Sequence, residues 1–470
     1  PALFATPPAS ACLPGPPGTA GPDRLVLDTY DAADQLIKVT TGYLSTSQID
    51  YATATYTNSG EVRTVKDAAN NLTTLAYDPY DRLLEVQFPM PATGSNASNP
   101  ADFESYAYDN NGNAIVVRRR SGDRVSFTYD ALNRLTLEHF AQGASQDVAF
   151  GYDLLDRTLF AHYGSPTGTG VDFAYDALGR AVSATASGRT LAYQYDAAGN
   201  RTRVTWPETG PNALFVAYAY DVLDRVTRVE EDRAGSGPGL LASYVYDDLG
   251  RRSSIARAGG TGAATSYGYD GASRLSGLTQ TLAGGAGVDY TFTYNGAGQI
   301  LTRAVTNDAY TAHPGTIASS YGANGLNQIT GASGVTGTYD ASNSAALSYD
   351  PLGRVQSSTA GGATTTFLWD GEALAGEYDP SGNILRRYAS GPGVDEPVVW
   401  YEGPRRTDRR WLAADNAGSV IAYADQNGVS GATYAYGPYG EPLNADGSPA
   451  WGGARHRYTG QIELPEAHLY

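Results

Sequence analysis

Residues 171–205 read VDFAYDALGRAVSATASGRTLAYQYDAAGNRTRVT. Two copies of one phrase, Tyr-Asp-x-x-Gly-Arg/Asn, open at Tyr175-Asp176 and Tyr195-Asp196. Ahead of each Tyr the residues alternate, so that Val171 and Phe173 share a face with Tyr175, and Leu191 and Tyr193 share one with Tyr195. A period of two marks a half-buried strand. The Asp can accept backbone N–H groups two or more residues on, and Gly179 and Gly199, four residues after Tyr, tolerate φ > 0. Each phrase therefore predicts a strand, a reversal and a returning strand.

The phrase recurs at Tyr77-Asp78, Tyr108-Asp109, Tyr129-Asp130, Tyr152-Asp153, Tyr220-Asp221, Tyr246-Asp247, Tyr269-Asp270 and Tyr349-Asp350, with Gly250 and Gly353 in the turn of two copies. Weaker copies open at Tyr30, Tyr56, Tyr294, Tyr321 and Tyr378. The spacing of roughly 20 to 30 residues is that of repeat architectures. After each turn an Arg or Asn is expected to face solvent, and Leu83, Leu135, Val226 or Leu275 to return inward. About thirty strands result, more than a flat sheet holds without curling. The expected fold class is all-β, a repetitive β-hairpin sheet curling into a hollow spiral or barrel-like shell. The tyrosines then serve as cross-strand contacts and the repeated Asp residues as turn formers rather than acids.

Composition agrees. The 470 residues include 56 Gly, 35 Tyr and 25 Pro with only 17% charged residues, which suits short strands and turns and would starve long surface helices. A net charge of −17 argues against nucleic acid as the partner, because phosphate neutralisation needs clustered cations. The basic runs Arg118–Arg120 and Arg405-Arg406 with Arg409-Arg410 are flanked by acids and read as solvated strand faces or loops. Cys12 stands alone, which leaves no intramolecular disulfide and no Cys-based zinc site. No stretch approaches the ~18 apolar residues of a membrane helix.

Catalytic patterns are missing from the sequence. His139, His162, His313, His456 and His468 lie far apart without metal-ligand spacing, and no nucleophile elbow or P-loop phrase occurs. Asp395-Glu396 would point to opposite faces of a strand and reads as a turn or partner contact. An Asp/Asn cluster at Asp109–Asn113 has Arg120 where a calcium loop needs Glu. No catalytic residue, metal ligand or cofactor is expected.

The ordered series of Tyr-Asp phrases resembles the Rhs/YD-repeat family of polymorphic toxins, related to insecticidal toxin complexes and teneurins. The resemblance runs from about Asp23 onward and includes YDPSGNILRRYASGPGVDEPVVWYEG at 378–403, WLAADNAGSVIAYADQNG from Trp411, YAYGPYGEP from Tyr434 and RYTGQIELPEAHLY from Arg457. It implies a secreted or cell-surface bacterial shell that encloses or presents a C-terminal toxin or cargo segment, with other shell segments or copies as further partners. It also implies a division into a Pro/Gly-rich opening segment (1–29), a repeat shell (30–378) and a C-terminal core-associated region (379–470). The family's closing Arg-x-Tyr-Asp-Pro stretch and its cleaving aspartates are not in this sequence, so no cleavage residue is carried over, and the chain reads as a piece of something longer. The alternative is a cell-surface adhesion or carbohydrate-binding fibre using exposed tyrosines as stacking platforms. An outer-membrane barrel is disfavoured by Asp, Thr, Arg and Ser on the faces opposite the tyrosines.

Overall fold

The computed structural model describes residues 25–311 except 142, 258–261 and 285, the pieces 321–323, 329–332 and 335–336, and residues 345–465 except 426, 438–439, 445–447 and 449. Cys12, His313, His468 and most of the 1–29 segment lie outside the described residues. The expected fold class holds: the chain is nearly all antiparallel β, and helix among the described residues is confined to three-residue turns such as Ala144–Gln146.

Twenty-four strands, from Val26–Tyr30 to Ile300–Val305, form one sheet, sheet I, in which each strand pairs with its neighbours in sequence. Hairpin connections alternate between two rims. One rim carries the Tyr-Asp turns, and the opposite rim carries the loops that join one hairpin to the next. Cross-strand partners hold a single face along the whole sheet: Leu75 opposite Val86, Tyr106 opposite Val117, Phe150 opposite Ala161, Tyr193 opposite Val204 and Tyr244 opposite Ile255. We call this the inner face. It follows directly from the alternation ahead of each Tyr.

A second sheet, sheet II, runs through nine strands from Ala345–Tyr349 to Ser430–Thr433 and packs on the inner face of the later half of sheet I. Its strands bury both faces. Leu368, Ala375, Ala389, Tyr401 and Trp411 join Leu191, Val204, Val216, Val229 and Leu241 of sheet I in one core, while Phe367, Leu374, Tyr388, Trp400 and Leu412 pack with Tyr434, Ala454 and Leu464 of the C-terminal segment. Three layers result. Each buried large side chain contributes about 1.5–3 kcal/mol, and Trp206 and Trp411 also donate their indole N–H across the layers, to Ala375 O and Leu241 O, both at 2.9 Å.

One group of bonds between the sheets links residues at a nearly constant separation of 169 to 178, namely Arg201 to Asp370, Glu208 to Tyr378, Tyr218 to Ser390 and Glu231 to both Tyr401 and Arg409, while Arg252 to Glu396 and Gln280 to Ala414 span 144 and 134. Sheet II therefore passes sheet I in the same sequential order, as a second lap of a spiral would. Tyr378 and Asp379 fall inside one hairpin of sheet II, between the strands Ala373–Tyr378 and Ile384–Ser390.

Sheet I is an open wall, with its first and last strands unpaired to each other, and sheet II lies against the inner face of its later half. The alternating pattern specifies a one-sided sheet but not what covers that side. The basic run at 405–410 is no solvated loop: Arg409 makes two bonds to Glu231, at 2.8 and 2.9 Å, and Arg406 contacts Glu231 and Asp232. Arg120 likewise pairs with Asp102, and Arg118 stacks on Phe103 at 3.8 Å.

Candidate functional surface: the Tyr-Asp-Arg rim and the inner face

The turn is built from five residues. In Tyr175-Asp176-Ala177-Leu178-Gly179-Arg180 the Gly179 N–H donates to Asp176 O at 3.0 Å and the Asp176 N–H to Arg180 O at 2.9 Å, closing a tight turn with one bulged residue. Gly179 has φ 84°, and Gly199, Gly250 and Gly353 have φ 99°, 78° and 82°. Where glycine is missing the short polar residues Asp81, Asn133, Asp156, Asp224 and Ser273 take φ of 58–64°. Asp Oδ1 accepts the N–H groups two and four residues on, at 2.9 Å from both Leu178 and Arg180 in this copy. The same pair of bonds forms at Asp78, Asp130, Asp153, Asp221, Asp247, Asp270 and Asp350.

The Arg was expected to face solvent, and the structure corrects this. Its guanidinium pairs with the Asp of its own turn at 2.5–2.7 Å in the copies at Asp78, Asp130, Asp153, Asp176, Asp221, Asp247, Asp270 and Asp350. It then reaches the next repeat: Arg82, Arg134, Arg157 and Arg180 donate to the backbone carbonyls of Asp109, Asp153, Asp176 and Asp196 at 2.8–3.2 Å. The same group covers the next Tyr ring, at 4.3–5.0 Å from the centroids of Tyr108, Tyr152, Tyr175, Tyr195, Tyr246 and Tyr269. Where Asn replaces Arg, Asn113 and Asn200 bond their own Asp and reach Asn133 and Asp224 of the following turn.

The tyrosines work in the other direction. The hydroxyls of Tyr77, Tyr108, Tyr129, Tyr152, Tyr175, Tyr195, Tyr220, Tyr246 and Tyr269 donate at 2.8–2.9 Å to Val62, Leu83, Ala114, Leu135, Thr158, Ala181, Arg201, Val226 and Arg252 O. Each acceptor is the residue after the turn of the preceding repeat. Tyr30 and Tyr349, the first motif tyrosines of the two sheets, are 53% and 49% exposed. In sheet II Trp369 takes the same role, donating to Val355 O at 2.8 Å.

The electrostatics belong to this lattice. The Arg134 backbone N–H, followed by its guanidinium, holds the Asp130 carboxyl below the usual carboxylate range, and backbone donation leads likewise at Asp176 and Asp270. At Asp221 and Asp247 the guanidinium of Arg225 or Arg251 is the larger cause. Burial raises the phenols of Tyr129, Tyr152, Tyr175, Tyr220 and Tyr246. A carboxylate held ionised by two N–H groups and a guanidinium is a structural anion, poorly suited to proton transfer at neutral pH.

Outside the motif, Glu396 pairs with Arg252 at 2.8 Å across the sheets, beside a cavity of about 290 Å³ lined by Tyr244, Arg257, Tyr267 and Gln280. Glu396 is thus a contact between sheets, and Asp395, at φ 49°, lies in the turn before it. No group of three or more His, Cys, Asp or Glu among the described residues is placed to hold a metal ion. No helix among them is long and apolar enough to cross a membrane.

The lattice leaves the inner face as the surface free to act. Under sheet II its motif-phased aromatics are buried, with Tyr193, Tyr244 and Phe292 at 8%, 4% and 4% exposure. On the earlier strands the same positions, Leu75, Tyr106, Phe127, Phe150 and Phe173, are half-buried, and Val65 is exposed. Glu104 and Glu138 interrupt this stretch, and burial pushes the Glu138 carboxyl up.

A Teneurin YD-shell family model matches residues 26–169 and an RHS Repeat model matches residues 175–209. Over these residues the chain is similar to the shells and repeats of the Rhs/YD type. Its sheet is similar to that of TcdB2-TccC3-TEV, a crystal structure with a TM-score of 0.51 at 14% identity that covers 95% of this chain and 28% of the other. Two curated proteins are 27% identical to it, the tRNA nuclease WapA of Bacillus subtilis (strain 168) over 371 residues and the tRNA3(Ser)-specific nuclease WapA of Bacillus spizizenii over 370. In both, the match covers 78% of this chain but 12% of the relative. The chain thus spans a small part of the relatives' length, and what it shares with the family is a structural shell of YD repeats.

Proposed function

We propose that this chain is a wall segment of a bacterial Rhs-type shell, exported or displayed at the cell surface, whose inner face encloses or presents a C-terminal toxin or cargo segment of its parent protein. The observation that carries the reading is the inner face. One apolar, aromatic face runs along sheet I, buried under sheet II over its later strands and, broken only by Glu104 and Glu138, half-buried at Leu75, Tyr106, Phe127, Phe150 and Phe173 on the earlier strands, which sheet II does not cover. Contiguous apolar surface of this kind marks an interaction site. The chain itself supplies walls and no catalytic step: each repeated acid is committed to its turn, and each repeated phenol to a carbonyl of its neighbour.

Adhesion through a free tyrosine stripe finds less support, because the motif phenols have their hydroxyls engaged and Arg over their rings. The test is photocrosslinking in the parent protein, with the crosslinker at Phe127, Phe150 or Phe173 and, as outer-face controls, at Thr128 or Ala174. Crosslinks from the inner positions alone to a segment C-terminal to Tyr470 are expected. Equal yields from both faces would overturn the reading.

A further inference from the structure

The outermost residue of each turn, three positions after Tyr, gives its backbone N–H to the motif Asp, but where it is Leu its side chain makes no bond to the lattice. Polar residues are favoured at such positions. Yet Tyr80, Leu132, Leu155, Leu178, Leu223 and Leu249 occupy them in sheet I, at 64–80% exposure. Leu132, Leu155 and Leu178 stand on three consecutive hairpins, and since each hairpin advances two strands they are spaced about 10 Å apart along the rim. Asn111, at the same position of another copy, shows that the turn does not require an apolar residue there.

One turn of the same kind is docked within the chain. In Tyr349–Arg354 the carbonyl of Tyr349 accepts the Tyr163 hydroxyl at 2.5 Å, and nearby Gln356 bonds Ser187 at 3.1 Å. Tyr163 and Ser187 sit on the opposite rim of sheet I, where loops join one hairpin to the next. In this turn the Asp350 and Arg354 side chains are 5% and 9% exposed, against 9–25% and 22–35% for the corresponding pairs of sheet I. Leu352 falls to 41%.

We propose that the apolar turn rim of sheet I docks on the opposite-rim loops of a second copy of this chain. The offered turns and the receiving loops lie on opposite rims of one sheet, so they cannot meet within it; between copies they form a head-to-tail, heterologous contact that does not close on itself. Both halves are present on every copy: turns at 130–134, 153–157 and 176–180, and loops at 41–48, 67–71 and 118–124. The rim is distinct from the inner face, and its fate is independent of the cargo reading. Because each copy carries a net charge of −17, screening by salt favours apolar docking between copies and would weaken an interface made of ion pairs.

Sedimentation velocity on the full chain, from about 1 to about 100 µM and from about 0.05 to about 0.5 M NaCl, tests this. The weight-average mass is expected to rise with concentration, and more steeply at high salt. Leu155→Asn, Leu178→Asn and Leu223→Asn together copy the residue at Asn111 and are expected to hold the protein monomeric at an unchanged melting temperature. Leu155→Glu with Leu178→Glu gives the same result by repulsion. A wild-type chain that stays monomeric at the highest concentration in high salt, or a folded triple variant that associates as wild type does, would overturn the proposal.

Discussion

At the scale of single residues, the repeat divides its labour between groups that act inside a turn and groups that tie one turn to the next. Gly179 has φ 84°, where a β-branched residue is strained, so Gly179→Val is expected to cost about 1 kcal/mol or more. Hydrogen exchange should show the damage confined to hairpins near residue 179. Arg134→Lys keeps the charge but loses the paired contact with Asp130, and with it the planar cover over Tyr152. A lower melting temperature is expected for Arg134→Lys, and a loss of about 1 kcal/mol for Tyr152→Phe, which strands the Leu135 carbonyl. The Asp and Gly of the motif were legible in the sequence because their work is done within five residues, and the Tyr because it closes an alternating run, although the carbonyl its hydroxyl reaches lies in the preceding repeat. The Arg was not, because what it touches lies about twenty residues on, in the next repeat. His456 offers a test by pH. Burial, against a background of Glu377 and Arg455, lowers its pKa from 6.5 to about 4, with Tyr388 edge-on at 4.9 Å. The unfolded chain therefore takes up the proton first, and stability is expected to fall by on the order of 3 kcal/mol as pH drops from about 6.5 to about 4. His456→Gln should flatten that part of a denaturation-versus-pH profile. The turn carboxylates, held low by their donors, lose their contribution only below the ordinary carboxylate range, near pH 4.

At the scale of elements, sheet I and sheet II are joined by a small number of buried polar contacts set in a large apolar core. Glu231 is the most committed of these. It is 5% exposed and accepts from Tyr401 at 3.0 Å and from Arg409 at 2.8 and 2.9 Å. Removing one partner of such a network leaves an uncompensated charge in the interior, so Glu231→Ala is expected to cost about 3–5 kcal/mol. In urea, sheet II should detach first while sheet I of the variant keeps its exchange protection in the Ser98–Phe140 hairpins. The strands themselves were legible from their alternation. The pairing of the sheets was not, since a half-buried pattern specifies that one face needs a cover without saying which. The segment at 397–401, PVVWY, did carry a signal: it breaks the alternation with a continuous apolar run, as strands buried on both faces do, and four of its five residues are buried.

At the scale of the whole molecule, the lattice of turns builds a long one-sided sheet whose later half is already covered by its own second lap. The earlier half repeats the same inner pattern without a cover. Spiral order and open ends follow from sequential pairing of every strand, and the family resemblance named the shell; the extent of the uncovered face was visible only once sheet II was placed. The central claim is that this face receives another segment of the parent protein. Cysteine labelling measures it directly, with Val86→Cys and Val117→Cys on the inner face and Thr128→Cys on the outer, each in a Cys12→Ser background. In the isolated chain all three positions should react with a water-soluble maleimide. In the parent protein carrying its C-terminal segment, labelling at Val86→Cys and Val117→Cys is expected to fall at least about tenfold, a protection of about 1.4 kcal/mol or more, while Thr128→Cys stays reactive. Equal reactivity of the inner positions in both proteins would contradict the account.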